Sequence, residues 1–181
     1  MKLIIAGLDE AGRGAWAGPV FAGACILDKK FPKKILKDSK KLSPKKREEV
    51  FEIISSRCDF GIGSASAREI EKLGIVAATN LSMKRALAGL ETKPIKLLVD
   101  GRDKFYFEIP FTSIIKGDSK VSVISAASII AKVSRDRYMR ELEKSDKYFF
   151  AKHKGYGTKL HLEMIKKHGI SKDHRRNFNF L

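Results

Sequence analysis

Two adjacent carboxylates, Asp9 and Glu10, are followed by Gly12-Arg13-Gly14 and then by Ala17-Gly18-Pro19. Carboxylates bind hard divalent cations, glycines let a backbone approach a ligand closely, and arginine neutralises phosphate. That combination suits a metal-dependent phosphodiester enzyme. An Asp-Glu pair running into glycines is equally how an ordinary strand ends in a solvated turn, so the segment alone leaves both readings open. The segment matches neither familiar nucleotide-binding loop. Gly18 falls one residue late for the dinucleotide fingerprint, and the Walker spacing is absent.

Two more acids close apolar runs: Asp100-Gly101 after Ile95–Val99, and Gly117-Asp118 after Pro110–Ile115. One acid at a strand end is ordinary, but three strand ends doing the same thing can converge. Converging carboxylates repel one another, and such a site persists only if cations neutralise it. Ligands that are all oxygen favour Mg²⁺ or Mn²⁺ over zinc. Two such ions about 4 Å apart can activate a water and stabilise the leaving oxygen of a phosphoryl displacement. Adjacent strand residues point to opposite faces, so Asp9 and Glu10 share a site only if the strand twists or turns there.

The elements that must carry these residues follow from periodicity. Strands are expected at residues 2–8, Val20–Leu27, Cys58–Ala65 and Ile95–Val99, with Phe105–Ile109 and Pro110–Ile115 as a hairpin or edge pair. Ser43 and Pro44 open a helix to about Arg57 that buries Val50, Phe51 and Ile54. Ser66 to Glu69 is a capping box for a short helix stopped by Gly74. A longer helix runs from Ile75 to about Leu90, with Ala78, Leu81 and Arg85 at helical spacing. Ser119 or Ser122 caps a long helix to about Lys144, its inner face Ile124, Ala127, Ala131, Ser134 and Tyr138. Thr158 caps a last helix that Gly169 ends, and the tail from His174 is basic and aromatic. The pattern is α/β, a mixed sheet with helices packed on it.

Composition sets the partner. Lys and Arg number 37 against 21 Asp and Glu, a net charge of +16. So basic a chain implies a polyanion, most often nucleic acid, bound in a salt-dependent way. No apolar run is long enough to span a membrane and no leader pattern is visible. Cys25 and Cys58 lack metal-ligand spacing and fit a reduced pair. A cytoplasmic protein is expected.

The motifs together closely resemble the type 2 ribonucleases H, the ribonuclease HII family. The resemblance rests on Asp9 to Gly14 with Gly18-Pro19, Asp38 to Ser43, Val99-Asp100-Gly101, Lys116 to Lys120, Ala126 to Asp136, His153 to Thr158 and His174-Arg175-Arg176. These occur in the family's order and cover nearly the whole chain. Arg13 in the turn points to the HII branch rather than HIII.

The resemblance implies an RNase H-like fold: a central mixed five-stranded sheet flanked by helices, with a catalytic domain at 1–145 and a small C-terminal helical part at 146–181. It implies an endonuclease that cuts the RNA strand of RNA/DNA hybrids and incises duplex DNA 5′ to a single embedded ribonucleotide. By position, Asp9, Glu10, Asp100 and Asp118 match the acids that hold two Mn²⁺ or Mg²⁺ ions. Gly12, Arg13 and Gly14 match the turn that senses the 2′-hydroxyl and nearby phosphate. Tyr156 matches the tyrosine that stacks on the next deoxyribose.

Secondary residues read two ways. Lys40 contacts phosphate or belongs to a solvated loop; Asn80 and Ser128 reach the substrate or serve packing. Arg175 and Arg176 meet the duplex backbone or solvent, His153 and His161 are structural, and Trp16 anchors the turn. A monomer is expected, and the ending Asn177 to Leu181 is no more than suggestive of a sliding-clamp peptide. A basic RNA-binding protein and an RNase H-like enzyme acting on DNA alone are the rivals. The first gives no reason for acids at three strand ends; Gly12-Arg13-Gly14 and Tyr156 argue against the second.

Overall fold

The computed structural model describes residues 3–36, 42–143 and 147–178. Lys40, with Asp38 and Ser39, lies outside them. Five strands form one sheet: β1 (Ile5–Ala11), β2 (Val20–Ile26), β3 (Asp59–Ala65), β4 (Lys96–Asp100) and β5 (Phe111–Ile114), in the order β3-β2-β1-β4-β5. The first three are antiparallel neighbours, whereas β4 runs parallel to β1, and β5 parallel to β4. Helices α1 (Pro44–Arg57), α2 (Ala67–Leu73) and α3 (Ile75–Ala88) come before β4. After β5 come the short α4 (Gly117–Lys120), then α5 (Ser122–Glu143), α6 (Phe150–His153) and α7 (Lys159–His168).

The capping signals of α1, α2 and α7 work as read, whereas Ser119 lies inside α4 and Ser122 is the first residue of α5. Ser43 accepts from the Lys46 amide at 3.2 Å with Pro44 at the helix start, the Ser66–Glu69 box is reciprocal, and Thr158 caps α7. The sheet buries both faces. On one, Cys25, Phe51, Ile54, Ala126 and Ile130 join β2, α1 and α5. On the other, Leu8, Ala24, Met83, Leu97 and Val99 pack with α3. Gly23 lets α5 lie almost on the sheet, since a Cβ there would stand 2.3 Å from the Ala127 carbonyl oxygen. Among the described residues no helix is long and apolar enough to cross a membrane.

Four expectations change. First, β1 runs on to Ala11, because pairing with β2 continues to Ala11 opposite Phe21. Second, Phe105–Ile109 forms no strand. Its alternation is real, with Phe105 and Phe107 buried and Tyr106 exposed, but the edge beside β4 is taken by β5, beginning where the Leu97 amide donates to the Pro110 carbonyl. Alternation there plugs a core instead of filling a ladder. Third, α5 buries Arg135 and Met139 where Ser134 and Tyr138 were expected. Fourth, Arg85 is exposed and pairs with Glu69 at 2.7 Å, while Met83 and Ala86 face inward.

Candidate active site

Strand order brings the acids together. Parallel pairing sets Leu8 opposite Val99, so the residues that follow, Asp9 and Asp100, reach the same end of neighbouring strands. Asp100 then pairs with Ile114 of β5, and the chain turns through Lys116, which takes the left-handed backbone at φ 55°. That turn aims the Gly117 amide at Asp100 Oδ1, 2.6 Å away. Asp118 follows in α4, in the turn after the strand rather than at its end, and is only 2% exposed.

Asp9 is 5% exposed. Burial first, then the charges of Glu10 and Asp100, push its carboxyl well above the usual range, while the Ser128 side chain and the Glu10 amide, which donates to Oδ1 at 2.7 Å, pull it back. Glu10 is raised mainly by burial, with Arg13 pulling it back and Asp100 and Asp103 adding to the rise. Asp9 and Glu10 thus both feel Asp100 although the strand has not ended, and Ser128 of α5 meets Asp9. Two carboxylates held against burial and mutual repulsion gain from a cation. The donors are all oxygen, which fits Mg²⁺ or Mn²⁺. Among the described residues no three His, Cys, Asp or Glu side chains stand close enough to form a ready cage.

The glycine-rich turn is gripped from behind. Arg135 donates through Nε to the Pro19 carbonyl at 3.1 Å and through Nη2 to that of Ala17 at 3.2 Å. Arg175 donates to the carbonyls of Gly18, Arg13 and Gly12 at 2.9, 2.7 and 2.7 Å. Both guanidiniums are fully buried, so Arg175 faces neither duplex nor solvent. Burial and the neighbouring Arg135 charge bring it down to about 9. Gly12 has no alternative: φ is +94°, and a Cβ would lie 1.9 Å from Arg135 Nε. Gly14 by contrast borders open space. The Arg13 side chain swings toward the acids, 2.5 Å from Asp103 and 3.4 Å from Glu10.

Trp16 anchors the turn to the C-terminal part. Its amide donates to the Gly155 carbonyl at 2.8 Å, and its carbonyl accepts from the Arg175 amide at 2.8 Å. Tyr156 is thereby brought beside the turn. Its ring is 36% exposed, 5.2 Å from the Arg135 guanidinium and 5.8 Å from the Lys132 ammonium. Glu10, Gly12, Arg13, Ser128, Lys132 and Tyr156 line one cleft of about 340 Å³.

Ser128 is thus at the site. Asn80 is elsewhere, its Oδ1 accepting from the Tyr106 amide at 3.1 Å, and the Arg176 amide is tied to Glu71. Sequence reasoning missed Arg47 of α1, which also lines the cleft, and Asp103. Arg47 was masked by a run of like charges, and Asp103 carries no pattern at all.

The residues at 6–180 match the family model described as ribonuclease HII. Ribonuclease HII of Desulfitobacterium hafniense is 51% identical over 97% of this chain and 68% of its own. That of Neisseria meningitidis serogroup B is 48% identical over 98% of this chain and 93% of its own. Among solved structures, the ribonuclease H2 of Pyrococcus horikoshii superposes with a TM-score of 0.80 at 29% identity, over 97% of this chain and 94% of that one. The Archaeoglobus fulgidus RNase HII solved with PCNA gives 0.82 at 27%, covering 98% and 96%. A family match over nearly the whole chain, with relatives of this identity, places the chain in the ribonuclease HII family, hydrolases of the ribonuclease H type.

Proposed function

We propose that the protein is a monomeric endonuclease that cuts the RNA strand of RNA/DNA hybrids. On duplex DNA with one embedded ribonucleotide it incises on the 5′ side, leaving 3′-hydroxyl and 5′-phosphate ends and so opening ribonucleotide removal. The observation that supports this best is a single cleft lined by an acid, a glycine-framed arginine turn and a half-open tyrosine ring. The family membership supports the reaction class.

Asp9, Glu10, Asp100 and Asp118 would hold Mn²⁺ or Mg²⁺. Such ions, when bound, supply Lewis-acid activation of water and stabilisation of the departing oxygen. The remaining steps belong to the chain itself. Ser128 faces Asp9 and favours its carboxylate form. The Gly12–Gly14 backbone, stiffened by two arginines, offers a fixed surface to a 2′-hydroxyl, which is both donor and acceptor and so marks RNA. Arg13 meets the phosphate by exchanging its Asp103 and Glu10 contacts for it. Tyr156 lies flat against the sugar that follows, where an extra hydroxyl would crowd the ring, so deoxyribose is preferred there. The C-terminal part, which carries Tyr156, contributes to substrate binding.

The test is Asp118→Asn assayed beside wild type, with each divalent ion, for cleavage and for binding of a duplex containing one ribonucleotide. Loss of about a thousandfold or more in cleavage, with binding within about threefold, is expected when a charged group at a phosphoryl-transfer site is neutralised. A variant that cleaves at the wild-type rate would remove Asp118 from the mechanism.

A further inference from the structure

Three buried histidines outside that mechanism form one connected set behind Tyr156. His153 ends α6, His161 sits in the first turn of α7, and His174 lies in the C-terminal segment. The His153 and His161 rings stack with centroids 4.3 Å apart, and the His174 ring is 5.1 Å from that of His161.

Their hydrogen bonds fix where each proton sits. The Ser171 amide donates to His174 Nδ1 at 2.9 Å, so a neutral His174 carries its proton on Nε2. That nitrogen is 3.0 Å from His161 Nε2, which must accept. The His161 proton is therefore on Nδ1, 3.0 Å from the Tyr156 carbonyl. His153 is fixed separately: its Nδ1 accepts from the Gly155 amide at 3.2 Å, and its Nε2 donates to the Tyr148 carbonyl at 2.8 Å. Every ring nitrogen has a role in one arrangement of protons, and in that arrangement all three rings are neutral. Burial and the neighbouring imidazoles support it, together bringing His161 and His174 down to about 4 although the Tyr156 carbonyl pulls His161 upward.

The chain of donors begins in the same segment that grips the turn. His174 is bridged to Ala17, the Gly18 amide donates to the Asp173 carbonyl at 2.8 Å, and Arg175 holds the Gly12 and Arg13 carbonyls. One strut therefore reaches both recognition elements: arginine to the turn, histidines to the tyrosine.

We propose that His161 and His174 are positioning residues, whose directed hydrogen bonds from Ser171 to the Tyr156 carbonyl set the angle of the Tyr156 ring against the Gly12–Gly14 turn and so set the preference for a ribonucleotide followed by DNA. The proposal rests on the reading of Tyr156 given above and adds residues that never touch the nucleic acid. A purely space-filling role for the histidines would make any apolar ring of similar size an adequate replacement.

The experiment compares wild type, His161→Phe, His161→Asn and Tyr156→Ala. It reads kcat and KM on duplex DNA with one ribonucleotide and on an RNA/DNA hybrid, and it records imidazole ¹⁵N–¹H correlations of the wild-type protein near pH 7. An asparagine amide can reproduce the Nδ1 donor, whereas phenylalanine fills the space without one. His161→Phe is expected to lower the single-ribonucleotide to hybrid ratio about tenfold, the worth of one directed hydrogen bond, and His161→Asn to restore most of it. The spectrum should show His161 in the Nδ1–H form and His174 in the Nε2–H form. An unchanged ratio in a folded His161→Phe, while Tyr156→Ala shifts it, would overturn the relay and leave Tyr156 its role. No shift in Tyr156→Ala would remove that role and the proposal with it. Should His161→Phe not fold, the wild-type spectrum still decides, since an Nε2–H His161 contradicts the donor chain.

Discussion

At the residue scale, the site depends on side chains whose positions are over-determined from behind. Gly12 must combine a left-handed φ with contact against the Arg135 guanidinium. Gly12→Ala should therefore lose about 1–3 kcal/mol of stability, and cleavage should fall with it; urea unfolding and a cleavage assay measure the two. Arg13 is different, since its guanidinium is held by Asp103 and Glu10 and supports no core. Arg13→Ala should leave the unfolding midpoint nearly unchanged and weaken binding of the ribonucleotide duplex about tenfold, as removal of one charge-assisted phosphate contact does. The Asp9-Glu10 pair and its turn read in the sequence equally as an ordinary strand end, and only the further acids at Asp100 and Asp118 with the family's motifs singled them out. Asp103 was not legible, because an acid in a loop has no period and acquires meaning only when Arg13, ninety positions earlier in the chain, reaches it.

At the element scale, strand order made the site: β4 inserted beside β1 brings Asp100 to Asp9, and nothing local in either strand says so. Sequence pattern located most helices and their caps, since capping chemistry is local. It misjudged the inner face of α5 because a buried arginine looks unaffordable until its carbonyl partners are seen. Read by charge, Arg175 was likewise assigned to the outside; it donates to three carbonyls of a loop more than 150 positions away. Arg175→Met should cost about 3 kcal/mol or more, because those carbonyls would be left buried without a donor, and chemical denaturation would register it.

The histidine set makes a pH prediction at this same scale. With His161 and His174 near 4 in the folded protein and an ordinary value of 6.5, the unfolded chain takes up protons first as pH falls. Their contribution to stability is complete above about pH 6.5 and is lost progressively toward pH 4. Asp9 and Glu10, raised by burial, act in the opposite sense as pH falls. The histidine effect is therefore read as the difference between wild-type and His161→Phe unfolding curves, which should narrow from pH 7 to pH 5.

At the scale of the whole molecule, a net charge of +16 acts on any duplex. Binding should weaken steeply with salt, with a log–log slope of about −4 or steeper for five or so phosphates. All-DNA duplex should show nearly the same slope, because charge does not read sugars. On the proposed reading, discrimination belongs instead to the few groups in the cleft. The basic balance was legible from composition alone; the grip of Arg135 and Arg175 on the glycine-rich turn became visible only with the fold.

The central claim is tested most directly by mapping the cut on an end-labelled DNA duplex with one ribonucleotide, in the presence of Mn²⁺ or Mg²⁺. One incision immediately 5′ to the ribonucleotide, with a 3′-hydroxyl on one fragment and a 5′-phosphate on the other, is the expected result. Cleavage on the 3′ side, a cyclic phosphate end, or equal cutting of the same duplex made entirely of DNA would contradict the assignment of the turn and of Tyr156.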